Sequence, residues 1–131
     1  MLLTGLLRVY YDPDEETQLK AEYYMVNGIC EGEFKTYYAS GQICQQGTML
    51  NDQLDGPYKE YYENGNIKIQ CDYINGNHSG SFKTYYATGL LFQELNMVDT
   101  EYGIFSEYGD DGNLRISYTY THSNFIPTIV E

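Results

Sequence analysis

Several residue types that would mark a catalytic, metal-binding or membrane protein are scarce in this sequence. Its 131 residues include no Trp, three Pro, three Cys and two His. Cys30, Cys44 and Cys71 form no C-x-x-C pair, so neither a zinc site nor a disulfide framework is predicted, and a reducing compartment is favoured. No stretch approaches the ~20 apolar residues of a membrane-spanning helix, and the first residues lack a cationic leader. We therefore expect a cytoplasmic protein.

Positive charge is also scarce. Seven Lys and Arg stand against nineteen Asp and Glu, which gives a net charge of −12. The cations are spread along the whole chain, at Arg8, Lys20, Lys35, Lys59, Lys68, Lys83 and Arg115. This pattern argues against binding to nucleic acid or to a membrane surface, and it favours a basic protein as partner. The same charge would also keep a Tyr-rich surface soluble.

Groups that could carry catalysis are few. His78 is predicted to lie in a loop and His122 in the C-terminal tail, so both are expected to be solvated side chains. The acidic segment 110–113 lacks the spaced ligands of a calcium loop and is predicted to be a hairpin turn. Without an activated nucleophile or a positioned acid and base, the sequence predicts a protein that is not an enzyme and that uses no cofactor or metal.

Tyr and Gly are abundant, with sixteen and thirteen copies, and they recur in a pattern. Residues 32–41, 56–65 and 80–89 share the motif Gly-x-aromatic-Lys-x-Tyr-Tyr-x-x-Gly at a period of 24 residues. Residues 103–112 form a weaker copy in which Gly109 replaces the second Tyr, and a first copy begins at Gly5. We predict one domain, 1–131, whose units span 5–31, 32–55, 56–79, 80–102 and 103–120, followed by a tail, 121–131.

Each unit is predicted to be a β-hairpin. The Tyr pair is followed by a Gly-bearing turn, and in the third unit this turn contains Asn64-Gly65, a pair typical of tight hairpins. The polar segments 51–56 and 75–80 are predicted to be return loops between hairpins. No window has the apolar spacing of a helix. The expected fold is all-β: an elongated, single-layer, twisted antiparallel meander of about five hairpins.

The motif resembles the MORN repeat (membrane occupation and recognition nexus) in its bacterial variant form, over about residues 5–120. The resemblance implies a twisted sheet of hairpins that serves as an interaction or scaffold module, and it includes an antitoxin-like group. Choline-binding repeats also carry paired Tyr before a Gly turn, but their aromatic cages depend on Trp, which is missing here.

Paired Tyr residues place aromatic rings on both faces of the predicted sheet, because successive side chains of a strand point to opposite sides. The face that also carries Lys is expected to stay wet, so its rings are more available to a partner. The candidate partner-binding residues are Tyr37, Tyr61, Tyr85, Tyr108, Glu60 and Glu107.

The predicted function is protein binding, in its most concrete form an antitoxin or immunity role in which a basic partner is neutralised by occlusion. The alternative is a receptor for a small ligand or a glycan that uses the Tyr-lined face. Open terminal strands and the apolar segment 125–130 offer two routes to a homodimer.

Overall fold

The protein is described by a computed structural model that covers residues 2–121 and the backbone of residues 125–128. Within these residues the chain forms strands and turns and contains no helix. The strands are β1 (Gly5–Tyr10), β2 (Leu19–Val26), β3 (Ile29–Tyr37), β4 (Ile43–Leu50), β5 (Gln53–Leu54), β6 (Gly56–Tyr61), β7 (Ile67–Ile74), β8 (Asn77–Tyr85), β9 (Leu91–Met97), β10 (Tyr102–Tyr108), β11 (Leu114–Thr121) and β12 (Phe125–Thr128).

All strands belong to one antiparallel sheet, and they are ordered in space as they are in the chain. The short strand β5 is the exception, because it pairs with β4 beside the main path, on which β4 pairs with β6. The predicted fold is confirmed as an open, single-layer meander of hairpins. His122 lies outside the described residues, as does most of the tail.

The turn that follows each Tyr pair has a repeated geometry. In the third hairpin the N–H of Gly65 donates to the carbonyl of Tyr62, and the N–H of Tyr62 donates to the carbonyl of Asn66, both at 2.9 Å. Gly65 has a φ of 90°, which glycine adopts most readily, whereas Asn64 is outside the left-handed region. The hairpin is as predicted, but Asn64-Gly65 does not form a two-residue type I′ turn, which needs positive φ at both residues.

The tight two-residue turns lie instead between the repeats. Both central residues have positive φ at Asn27-Gly28, Asn51-Asp52 and Asn75-Gly76, as a type I′ turn requires. Such a turn matches the twist of the strands it joins, so pairing continues at once on either side. The prediction of return loops over 51–56 and 75–80 is therefore wrong in extent, since β5 and the start of β6 occupy three of the six residues of the first segment and β8 begins at Asn77.

The centre of the sheet is built around a glycine. Phe34, Tyr58 and Cys71 are the most buried members of an apolar cluster, 6–8% exposed. A Cβ atom on Gly47 would lie 2.9 Å from Cε1 of Phe34 and 3.2 Å from Cδ2 of Tyr58. Gly47 thus lets rings from the two flanking strands meet above the backbone of β4.

The second Tyr of each pair ties one hairpin to the next. The hydroxyls of Tyr11, Tyr38, Tyr62 and Tyr86 donate to the backbone carbonyls of Tyr37, Tyr61, Tyr85 and Tyr108, at 2.6–2.8 Å. We call these four donors the bridging tyrosines. In the fifth hairpin the equivalent position is Gly109, where an added Cβ would lie 2.6 Å from Nε of Arg115. Arg115, held by Asp111 at 2.8 Å, occupies the space that a side chain would need.

Candidate binding surfaces

The two faces of the sheet differ in chemistry. One face, here called the aromatic face, carries Tyr23, Phe34, Tyr58, Tyr73, His78, Phe82, Phe105 and Tyr118. The opposite face, here called the lysine face, carries Lys35, Gln46, Lys59, Gln70 and Lys83 as directly paired residues of neighbouring strands. Strand alternation separates the two sets, since Phe34 and Lys35 are adjacent in sequence.

The predicted residues Tyr37, Tyr61, Tyr85 and Tyr108 lie together on the lysine face and are half-buried. Three of their hydroxyls are engaged within the sheet by side chains of the neighbouring strand. Tyr37 donates to Glu22 at 2.8 Å and Tyr108 to Glu94 at 3.1 Å, while Gln46 donates to Tyr61 at 2.9 Å. Burial and then the bonded carboxylate raise the pKa of both Tyr37 and Tyr108. These hydroxyls therefore hold strands together.

Glu60 and Glu107, the other predicted residues, lie on the aromatic face, two positions from Tyr58 and Phe105 along their strands. Glu60 accepts a hydrogen bond of 3.2 Å from Tyr58 and lies 3.6 Å from Nζ of Lys68. Glu107 accepts one of 2.8 Å from Gln93. The six predicted residues are thus divided between two faces and do not form one surface.

Aromatic rings form a band across the aromatic face. Centroid distances are 5.9 Å for Tyr23–Phe34, 5.4 Å for Tyr58–Tyr73, 6.1 Å for Tyr73–His78, 5.6 Å for His78–Phe82, 6.4 Å for Phe82–Phe105 and 4.8 Å for Phe105–Tyr118. The gap between Phe34 and Tyr58 is closed over Gly47. The band reaches from β2 to β11, and within the described part of the chain no second layer covers it.

Two hairpins match a known repeat family. Residues 31–51 and 54–75, about a third of the chain, match the MORN repeat variant. No curated protein matches the chain. MORN repeats are generally associated with binding to proteins or membranes and not with catalysis. The matched segments contain most of β3 and all of β4, β6 and β7, so the buried centre of the aromatic face lies within them.

Sequence reasoning missed part of the band. His78, predicted to be a solvated loop residue, lies in β8 and packs edge-on between Tyr73 and Phe82, although it remains exposed. Tyr73 follows Cys71 at strand spacing and could have been placed on the same face by counting alternate residues along β7. His78 gave no such signal, because its place in a strand depends on the tight turn at Asn75-Gly76.

At the centre of the aromatic face, the hydroxyl of Tyr58 is engaged by two polar side chains. The hydroxyl of Tyr58 accepts a hydrogen bond of 2.8 Å from Gln45 and donates to Glu60. Burial raises the pKa of Tyr58 well above its usual range, and the charge of Glu60 adds to the rise. A buried network of this kind orients rings and carboxylates together.

The described residues contain no group of three or more His, Cys, Asp or Glu that could hold a metal ion. They also contain no helix long and apolar enough to cross a membrane.

Proposed function

We propose that the chain is a protein-binding module whose aromatic face takes a basic partner. The observation that carries this proposal is the band of aromatic rings from β2 to β11, which is about 40 Å long at the usual strand spacing and has no covering layer in the described residues. Around the buried rings of Phe34 and Tyr58, the half-buried rings and exposed His78 form a continuous apolar surface, and such surfaces mark interaction sites. Aromatic side chains are also the residues that most often anchor protein interfaces.

Charge supports a basic partner. The protein has a net charge of −12, and Glu60 and Glu107 lie directly beside the aromatic band. Lys68 is the cation that meets Glu60, and it is 43% exposed, so a cation of the partner can compete for the carboxylate. Such complementarity raises the association rate and suppresses acidic partners.

The aromatic face suits this role better than the lysine face. On the lysine face the Tyr hydroxyls are bonded to Glu22, Gln46 and Glu94, and cations alternate with these groups. On the aromatic face, exposed His78 and half-buried Phe82 and Phe105 offer apolar surface that no other element covers in the residues described. The finer form of the proposal is an antitoxin or immunity protein that lies over the active surface of a basic partner and blocks it.

Site-specific photo-crosslinking tests the proposal. Benzoylphenylalanine would be placed at His78 on the aromatic face and, as the matched control, at Tyr24, an aromatic residue that is 46% exposed on the opposite side. We expect the probe at position 78, exposed to a lysate of the native source, to yield a protein adduct whose isolated partner has a basic pI. The adduct should fade as salt is raised, and Glu60→Gln should weaken binding of the purified partner.

Three outcomes would overturn the proposal. One is an adduct at position 24 of equal yield, and another is an acidic partner whose binding ignores Glu60. The third is sedimentation of the chain with anionic vesicles in the absence of any protein adduct, which would assign the aromatic face to a membrane.

A further inference from the structure

A single row of charged and polar side chains crosses the lysine face. Directly paired residues of neighbouring strands run in the order Arg8, Glu22, Lys35, Gln46, Lys59, Gln70, Lys83, Glu94, Ser106 and Ser117. Each member lies one strand from the next. Cations therefore recur on every second strand, about 10 Å apart.

The centre of this row differs from its ends. Glu22 is the direct cross-strand partner of both Arg8 and Lys35, and Glu94 that of Lys83; Glu22 forms an ion pair with Arg8 at 3.2 Å. In the centre, Gln46 and Gln70 occupy the equivalent positions, so Lys35, Lys59 and Lys83 alternate with neutral amides. None of these three lysines forms an ion pair in the part of the chain that the structure describes. An acidic protein thus keeps a short cationic strip.

The strip is indented. A depression of about 390 Å³ lies between Lys35 and Lys59, and its lining groups include Gln46, Thr48, the backbone of Gly47 and one carboxylate, that of Glu33. A smaller one of about 150 Å³ lies around Gln70 and Lys83, where Asp72 takes the place of Thr48 and Ser81 that of Glu33. The larger volume is in the range of small-ligand sites.

Donors and rings flank the depressions. Gln46 donates one amide hydrogen to the hydroxyl of Tyr61, which fixes its carboxamide and leaves its second N–H and its oxygen without a partner among the described residues. Tyr61 and Tyr85 follow Lys59 and Lys83 two positions further along their strands and so lie beside the strip on the same face. Amides can hydrogen-bond to sugar hydroxyls, and aromatic rings can stack on the apolar faces of sugar rings.

We propose that the strip binds a linear anionic glycan, a chain of sugars that carries carboxylates or sulfates. Lys35, Lys59 and Lys83 would pair with its charges, Gln46 and Gln70 with its hydroxyls, and Tyr61 and Tyr85 with its rings. The carboxylates of Glu22 and Glu94 end the site on either side, so the bound segment spans about 20 Å. The site lies on the face opposite to the proposed protein interface and does not depend on it.

Titration calorimetry with oligogalacturonates of increasing length, at low salt, tests the site. We expect saturable binding whose affinity rises with chain length and levels off once the chain spans about 20 Å. Neutral cello-oligosaccharides of the same length should bind far more weakly. Added salt should weaken the binding, because it screens exposed charges.

Two substitutions copy chemistry that the row already contains. Gln46→Glu and Gln70→Glu reproduce the pattern of Glu22 and Glu94, so the sheet should fold normally, and Tyr61 can donate to the new carboxylate as Tyr37 does to Glu22. Each should weaken binding about fivefold, the upper end for a partly exposed charge pair. Gln42→Glu, in an exposed turn, adds the same charge and is the matched control.

Three results would overturn the proposed site or its assignment to a glycan. Absence of saturable binding by any oligogalacturonate would overturn the site, as would an equal loss of affinity in Gln42→Glu and Gln46→Glu. Equally tight binding of oligo-glutamate would overturn the assignment to a glycan, because a peptide of the same charge needs neither the amides nor the rings.

Discussion

The hydroxyl of Tyr62 donates a 2.7 Å hydrogen bond to the backbone carbonyl of Tyr85, 23 residues further along the chain. The same bond recurs between Tyr38 and Tyr61 and between Tyr86 and Tyr108. The two tyrosines of each pair therefore have different roles. The second reaches across the neighbouring strand to the next hairpin, and the first supplies the carbonyl that receives it.

Removing one bridging hydroxyl tests this role. We expect Tyr62→Phe to lower the free energy of unfolding by about 0.5–1.5 kcal/mol, since the ring stays against Lys68 and only the hydrogen bond is lost. Urea denaturation measures the change. Tyr24→Phe, at an exposed position, is the control and should be neutral; equal stability of the Tyr62 variant and the wild type would mean that the bridge contributes nothing.

The close approach of the Phe34 ring to Gly47 can also be tested by substitution. Its φ is not positive, so backbone strain does not require glycine there, and alanine would ordinarily stabilise a strand. Because the new Cβ would lie 2.9 Å from the Phe34 ring, we instead expect Gly47→Ala to destabilise the protein by about 1–3 kcal/mol. A double-mutant cycle with Phe34→Leu checks the cause, because the two losses should be less than additive. Strict additivity would contradict the proposed contact.

Stability should fall at alkaline pH. Burial is the main cause that raises the pKa of Tyr38 from 10.0 to about 12, and it also raises the pKa of Tyr58, Tyr73 and Tyr37. Because the folded state holds these protons more tightly than the unfolded state, the stabilisation is complete below pH 10 and is lost as pH rises through the folded-state values.

Urea denaturation at a series of pH values, together with tyrosinate absorbance, measures this loss. Tyr58→Phe should flatten the alkaline fall and Tyr24→Phe should leave it unchanged. If all tyrosines ionised near pH 10 while the sheet stayed folded, burial would not be controlling their titration.

The repeat should also tolerate removal of a whole unit. Deletion of residues 56–79 joins Asp55 to Gly80, which has the same place in its repeat as Gly56, and brings Tyr38 to the carbonyl of Tyr85. We expect a folded all-β protein whose urea m-value is lower by about a fifth, in proportion to the surface lost. Deletion of residues 56–78 is one residue shorter than a period, so it turns the side chains of the following strand to the opposite face, and it is the control for register. An unfolded product from the first deletion would contradict the nearest-neighbour picture.

Much of the fold could be predicted from sequence because its signals are local. The 24-residue recurrence of the Tyr pair and its Gly turn predicted the number of hairpins, the single layer and the absence of helix. Alternation along a strand also placed Tyr37 and Tyr38 on different faces. The turns were assigned less well, because both Asn64-Gly65 and Asn75-Gly76 have the composition of a tight hairpin, and only the second adopts its positive φ values.

The surfaces were harder to predict because they depend on register between strands. A shift in register occurs just before the first Tyr of each pair, as between Thr36 and Tyr37. Pairing across several strands decides that Lys35, Gln46 and Lys59 form a row and that Phe34 and Tyr58 meet over Gly47. Sequence composition suggested a binding face, but it gave no means of knowing which rings would touch. That Glu60 lies on the face opposite to Tyr61 follows from strand alternation alone.

The order of strands also bears on how the chain reaches its native state. Along the main path each strand pairs with the strands next to it in the chain, so each step of sheet growth closes only a short loop and loses little chain entropy. Hairpins can then be added one at a time while the polypeptide is still being synthesised. Since low contact order goes with rapid folding, this β-protein should fold faster than sandwiches of similar size, whose pairings span long stretches of chain.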